Sequence, residues 1–207
     1  MIPRRALAKA SSKLPRDFYA RSTLIVARQL IGMHLVHQVA GVRRAGRIVE
    51  TEAYLGPKDL AAHSAHGRTA RNAVMFGPPG HAYVYFVYGF WNCVNVVTRE
   101  EGVPQAVLLR ALEPLDGIPL MIQRRGTNRL VDLARGPGRL AAAMGIDRHC
   151  DGIDLCAAGE LWLAAAPWPR GAIGRSVRVG ITREVDRPLR FYEGGNRFVS
   201  RPRHIRG

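Results

Sequence analysis

The sequence predicts one α+β domain, with an antiparallel sheet at its core and helices flanking it. Three observations lead there. A chain of 207 residues with 47% hydrophobic and 23% charged residues has the composition of an ordinary globular domain and is long enough to bury a core. Residues 82–88 and 90–98 are two aromatic, β-branched runs separated at Gly89, the pattern of a hairpin. Helical periodicity is confined to segments on either side of such runs.

Taken in order, residues 15–35 place Leu24, Ala27, Leu30 and Ile31 at helical spacing and predict a helix stopped by Gly32, with a strand to follow. Residues 46–55 (GRIVETEAYL) predict a strand bounded by Gly46 and Gly56-Pro57. Regular alternation would put Ile48, Glu50, Glu52 and Tyr54 on one face and Val49, Thr51, Ala53 and Leu55 on the other. Residues 59–71 are polar and rich in Gly and His, a loop with one helical turn at most. After the hairpin, residues 105–112 predict a third antiparallel strand ending in a turn at 113–117. Residues 127–145 read as helical apart from Gly136-Pro137-Gly138, and short strands are expected at 176–182 and 189–192. No internal repeat is visible. The first fourteen residues carry Arg4, Arg5, Lys9 and Lys13 and no acid, so the expected division is a mobile basic arm over 1–14 and a single domain over 15–207. A transit peptide is the alternative for that arm.

The formal charge is +15 and the pI about 11.0, and only Lys9, Lys13 and Lys58 among the 31 basic residues are lysine. Codon bias explains arginine in place of lysine, but not a twofold excess of base over acid. The field favours a polyanion as partner, because neutralised phosphates release their counterions. The longest apolar stretch, 86–97, is broken by Asn92 and Asn95 and is too short to cross a bilayer, so no membrane partner is expected. Cys93, Cys150 and Cys156 cannot all pair and show no CxxC spacing. A reducing compartment, the cytoplasm, is the expected location, and a monomer the expected state.

Two constellations could carry chemistry. Glu50 and Glu52 on one strand face lie within about 7 Å of each other, close enough for one to raise the other's pKa. Either could act as a general base, and surface acids matched to neighbouring arginines are the competing reading. Tyr83, Tyr85 and Tyr88 on an arginine-rich hairpin combine stacking surfaces with a phosphate-attracting field, and a tyrosine at the glycine-flanked tip suits insertion into a base stack. An aromatic ladder that merely packs the sheet fits equally well. His63 and His66, His34 and His37, and His149 beside Cys150 form no metal motif, and the glycines match no nucleotide-binding fingerprint, so neither metal nor cofactor is expected. With only Lys58 near the acidic strand, activated water is more natural than a Schiff base.

The run Arg47-Ile-Val-Glu-Thr-Glu-Ala-Tyr-Leu-Gly56, then Ala61-Ala-His63-Ser, Tyr83-Val-Tyr-Phe-Val-Tyr-Gly89, Asn95, Leu108-Leu-Arg-Ala-Leu-Glu-Pro-Leu115, Gly136-Pro137 and Arg187-Pro-Leu-Arg-Phe-Tyr192 occur in one order and spacing. From about residue 14 to 203 the chain resembles the alkyladenine (3-methyladenine) DNA glycosylase family. The resemblance implies a mixed α/β domain with a protruding hairpin that enters the minor groove of double-stranded DNA. It implies a monofunctional enzyme that flips damaged purines (alkylated bases such as 3-methyladenine, hypoxanthine, ethenoadenine) and hydrolyses the N-glycosidic bond. Carried over by position, Glu52 matches the base that activates water and Arg110 a residue that helps hold it. Tyr54, His63 and Tyr85 match the walls around the flipped base, Asn95 the residue that rejects the exocyclic amine of guanine, and Tyr88 the side chain that fills the vacated stack. His66, Ala70 and Trp91 depart from the family pattern. An Arg-rich module that binds nucleic acid without catalysis is the alternative from another class.

Overall fold

The computed structural model of the chain describes residues 12–87, 89–166 and 171–200. Most of the 1–14 arm and the hairpin-tip Tyr88 therefore lie outside the described residues. Ser12 and Leu14 are bonded to the sheet, Leu14 N–H to the Leu163 carbonyl (2.9 Å) and the Ser12 carbonyl to Ala165 N–H (3.0 Å).

Helices α1 (Arg16–Tyr19) and α2 (Thr23–Leu30) replace the single helix expected over 15–35. The break falls where the Tyr19 carbonyl turns out to accept Arg99 N–H (3.1 Å) and Arg21 Nε donates to the Phe18 carbonyl (3.0 Å). Gly32 then takes φ +88° and leads into β1 (His34–Val39) and β2 (Val42–Tyr54). β3 (Ala82–Val87) and β4 (Trp91–Thr98) form the expected hairpin, with Tyr83 opposite Asn95 and Tyr85 opposite Cys93. β5 (Gln105–Asp116) continues past its expected end at residue 112, because Glu113 and Pro114 still pair with Arg47 and Gly46 of β2. The turn waits for Gly117, whose positive φ is matched by closeness to Arg43: an added Cβ would stand 2.4 Å from the Arg43 carbonyl.

Helix α3 (Ile118–Arg125) was not foreseen, although Pro119 in its first turn and Gly126 at its end are the usual markers. Of the helical stretch expected at 127–145 only α4 (Pro137–Met144) is regular helix. The segment before it turns its backbone to β5, with the Ala134 carbonyl accepting Leu112 N–H and Arg135 bridging Ala111. Near the C-terminal end, β6 (Leu161–Ala164) is also new. The strands observed are β7 (Ile173–Ser176) and β8 (Arg190–Glu193), so residues 177–182 are an irregular strap rather than the expected strand.

The sheet runs β3-β4-β5-β2-β1-β6, with β8 on the remaining edge of β2 and β7 beside it. β2 is thus its centre, lined by β5 on one edge and by β1 and then β8 on the other. One face carries Ile48, Ala53, Val84, Val94, Val96, Leu109 and Leu112 against α2 and α4 in the main core. The opposite face holds the polar and aromatic groups described next. No helix among the described residues is long and apolar enough to cross a membrane.

Candidate active site

The β2–β5 ladder contains two compensating bulges. Ile48 pairs with Leu112, Glu50 with Ala111 and Thr51 with Leu109, so Val49 is an extra residue on β2 and Arg110 an extra residue on β5. A bulge re-aims side chains. Ile48 therefore packs in the main core with Ala53, contrary to the alternation that grouped it with the carboxylates, whereas Val49 joins Ala111 and Phe198 in a separate cluster. Glu50, Glu52 and Tyr54 remain together, and Arg110 is thrown out of its ladder between the two acids. Its Nε donates to Glu50 (3.0 Å) and its Nη1 to Glu52 (3.2 Å).

The two carboxylates, both fully buried, are not equivalent. Glu50 accepts four hydrogen bonds, from Arg110 Nε, Arg190 Nε (2.7 Å), Ser200 N–H (2.6 Å) and Ser200 Oγ (2.7 Å). A carboxylate offers about four acceptor sites, and the four bonds to Glu50 fall unevenly, three on Oε1 and one on Oε2. Glu52 accepts three, from Arg110, from the Tyr54 hydroxyl (3.0 Å) and from Val179 N–H (2.7 Å). One site on Oε1 stays available. Burial pushes the Glu52 carboxyl above the ordinary carboxylate range, against the opposing pull of the Arg110 guanidinium and the Val179 N–H. Burial also holds the Tyr54 phenol far above its usual range, so it remains a donor. The Arg110 guanidinium is more strongly held as a cation than usual, because Glu52 and Glu50 outweigh its burial.

Beside these groups opens a cleft of about 1570 Å³, lined among others by Tyr54, His63, Tyr85, Asn95, Arg110 and Trp91. His63 Nδ1 meets the Tyr83 hydroxyl at 2.8 Å, and its ring stands edge-on to Tyr85 with centroids 4.3 Å apart. Burial, helped by Arg71, lowers the His63 pKa, so the imidazole is neutral near pH 7. Asn95 donates to the Tyr83 carbonyl (3.1 Å). A base stacked between two rings needs about 7 Å, twice the optimal contact distance, so His63 and Tyr85 as placed form one wall and not the two sides of a slot. Guanidinium groups lie over two of the tyrosines, Arg178 at 4.7 Å from the Tyr54 centroid and Arg71 at 5.7 Å from that of Tyr85.

A buried acid with one open acceptor site, a paired arginine and an aromatic cleft suit hydrolytic removal of a planar group by activated water. Residues 17–197 match the family described as methylpurine-DNA glycosylase (MPG). The chain belongs to that family. The relative from Mesorhizobium japonicum is 51% identical over 95% of this chain and 91% of its own, and the one from Methanoculleus marisnigri 52% identical over 91% and 98%. The relative from Methanocella arvoryzae is 48% identical over 91% and 96%. Each bears the name "Putative 3-methyladenine DNA glycosylase".

Of the seven site residues expected from sequence in this methylpurine-DNA glycosylase, Arg110, Tyr54, His63, Tyr85 and Asn95 line one cleft, and Glu52 is fully buried, bonded to Arg110 and Tyr54 of that lining. Tyr88, the seventh, is outside the described residues. The sequence reading passed over Val179, whose contribution is a backbone N–H that no residue type signals. It also passed over Arg190 and Ser200, which supply three of the four bonds to Glu50, and the ion pair of Asp59 with Arg178. Arg190 had a signal: it lies in the Arg187-Pro-Leu-Arg-Phe-Tyr192 motif, at strand spacing from Tyr192. Among the described residues no three His, Cys, Asp or Glu side chains converge as metal ligands would.

Proposed function

We propose that this DNA glycosylase flips damaged purines out of duplex DNA and hydrolyses the bond from base to sugar with a water activated by Glu52. The observation that carries the reading is the contrast between Glu50, which accepts four hydrogen bonds, and Glu52, which accepts three, from the cleft-lining Arg110, Tyr54 and Val179, and has a site left on Oε1. Water held on that site gives its proton to the carboxylate as its oxygen bonds to C1′. The N-glycosidic electron pair leaves with the base. The carboxylate also stabilises the positive charge that the sugar gathers in the transition state. Arg110 keeps Glu52 ionised in its buried setting and helps hold the water.

Alkylated purines such as 3-methyladenine, with hypoxanthine and ethenoadenine, are the proposed substrates, stacked on Tyr54 and the His63–Tyr85 wall. Tyr85 or His63 turns aside to admit the base. Asn95 faces the base edge and screens out the exocyclic amine of guanine, and Tyr88 fills the gap left in the helix. Reaction by water leaves an intact abasic strand without lyase cleavage, the opening step of base excision repair. All these groups come from one chain, in keeping with a monomer, and a DNA substrate is in keeping with a cytoplasmic enzyme.

The test uses duplexes carrying one of these lesions, incubated with wild type and Glu52→Gln and then treated with alkali. Strand scission that depends on lesion and alkali, and is lost in Glu52→Gln while lesion binding persists, is the expected result. Tight, salt-sensitive binding with no scission on any lesion would leave a non-catalytic binding module.

A further inference from the structure

The mechanism leaves one buried ion pair unused. Asp59 and Arg178 are both fully inaccessible in their side chains and meet in a two-pronged contact, Nη1 to Oδ2 at 2.6 Å and Nη2 to Oδ1 at 2.8 Å. Each partner has further bonds, which end on Ala61 of the cleft lining and on Ala53 and Leu55, the chain neighbours of the lining residue Tyr54. Arg178 Nη1 also donates to the Ala53 carbonyl (3.1 Å), between Glu52 and Tyr54, and the guanidinium lies over the Tyr54 ring. Asp59 accepts the N–H of Leu55 (3.0 Å), just past Tyr54, and of Ala61 (3.2 Å), at the start of the turns that deliver His63. The residue after Arg178 is Val179, whose N–H is bonded to Glu52.

We infer that Asp59 and Arg178 are positioning residues of the glycosylase reaction, fastening the irregular strap 177–182 to the end of β2 so that the Val179 N–H, the Tyr54 ring and the His63 wall keep their places around Glu52. The strap has no ladder of its own: β7 ends at Ser176 and β8 begins at Arg190. The bidentate contact supplies the registration that strand pairing gives elsewhere. A lysine would keep the charge and lose the fork. The inference rests on the reading of Glu52 as the base.

Single-turnover excision is followed against pH for wild type, Arg178→Lys, the double variant Asp59→Asn/Arg178→Met and Glu52→Gln, with thermal melts for each. Removing both charges avoids a lone buried ion and lets the double variant fold. Loosened geometry of this kind lowers a rate by about 10²-fold. Arg178→Lys and the folded double variant are expected to lose rate on that scale with lesion-DNA affinity little changed. In the double variant the rise of rate with pH is expected to move upward, because the loosened Val179 N–H no longer favours the ionised Glu52 carboxylate. A merely structural pair would lower the melting midpoint and leave both the rate and its pH limb as in wild type, which would overturn the inference. If the double variant does not fold, Arg178→Lys decides alone: wild-type rate overturns it. Should Glu52→Gln keep the rate and the limb, the reading of the base fails as well; if Glu52→Gln is inactive and the Arg178 variants are unchanged, only the positioning role falls.

Discussion

The two faces of the β2–β5 pair are equally dry and chemically opposite. On one, Ile48, Thr51, Ala53 and Leu109 are at zero exposure, and the only polar group among them is the Thr51 hydroxyl, bonded to the Ala27 carbonyl of α2. On the other, Glu50 and Glu52 are equally inaccessible, with Arg110 and Arg190 at 6%. Apolar burial contributes stability in proportion to area, whereas burying charges returns little net stability even when every partner is in place. The first face holds the fold and the second holds a reactive geometry that the first makes affordable.

That division can be broken most sharply at Glu52. Glu52→Gln is expected to lower the excision rate by about 10²–10⁴-fold, the range for a lost general base. Its effect on the melting midpoint should depend on pH. The folded carboxyl titrates above its unfolded value, so the stability it contributes is present at acid pH and lost as pH rises through the folded value. The difference between the melts of wild type and Glu52→Gln should shift in favour of the variant as pH rises from about 4 to 8, and a difference that does not change with pH would contradict the division. Leu109→Ala on the other face should do the reverse. A destabilisation of about 2–5 kcal/mol in urea unfolding, with an unchanged rate per folded molecule, is expected for a leucine cavity in a dry core.

A smaller effect sharpens the contrast under acid. Burial would raise the Asp59 carboxyl, but Arg178 and the Leu55 N–H outweigh it and hold it below the ordinary range. Its contribution is complete above the unfolded value near 3.9 and is lost as pH falls through the depressed folded value. Acid unfolding of Asp59→Asn/Arg178→Met should therefore be shallower than that of wild type below about pH 4, measured by circular dichroism. The smallest effect belongs outside both faces. Arg43 and Asp116 meet at 3.8 Å with 34% and 41% side-chain exposure. Asp116→Ala should change stability by less than about 1 kcal/mol, and by less again in high salt.

Much of this was legible in the residues, and the exceptions share a cause. The hairpin, the central strand and the grouping of Glu50, Glu52 and Tyr54 follow from period-two patterning, which survives wherever the ladder is regular. Ile48 was placed on the wrong face because a bulge is one residue of excess with no compositional mark. The strap at 177–182 looked like a strand because Val177, Val179 and Ile181 alternate, yet its backbone is committed to Glu52 through Val179 and its arginine to Asp59. Those partners are 127 and 119 residues away in the chain, where no local pattern can reach them. Tyr54 and Tyr85 stand out from strand patterning, whereas the pocket roles of His63 and Asn95 could be named in advance only because an ordered set of motifs tied them to the others.

The paired bulges have a consequence for chain length. In a crystal, two edge dislocations of opposite sign annihilate at a distance, leaving the lattice beyond them unshifted. Val49 on β2 and Arg110 on β5 form such a pair: Ile48 faces Leu112 before the defect, Thr51 faces Leu109 after it, and the rows on either side stay in step. Deleting one of the two alone would leave a slip of one residue over the rest of the ladder and turn Glu52 toward α2. A further shift between Ala45 and Gly46 goes unmatched at the ladder's end, but within the stretch that carries Glu52 insertions and deletions are admissible only in matched couples, so the site's arithmetic is shared between two stretches of chain nearly sixty residues apart.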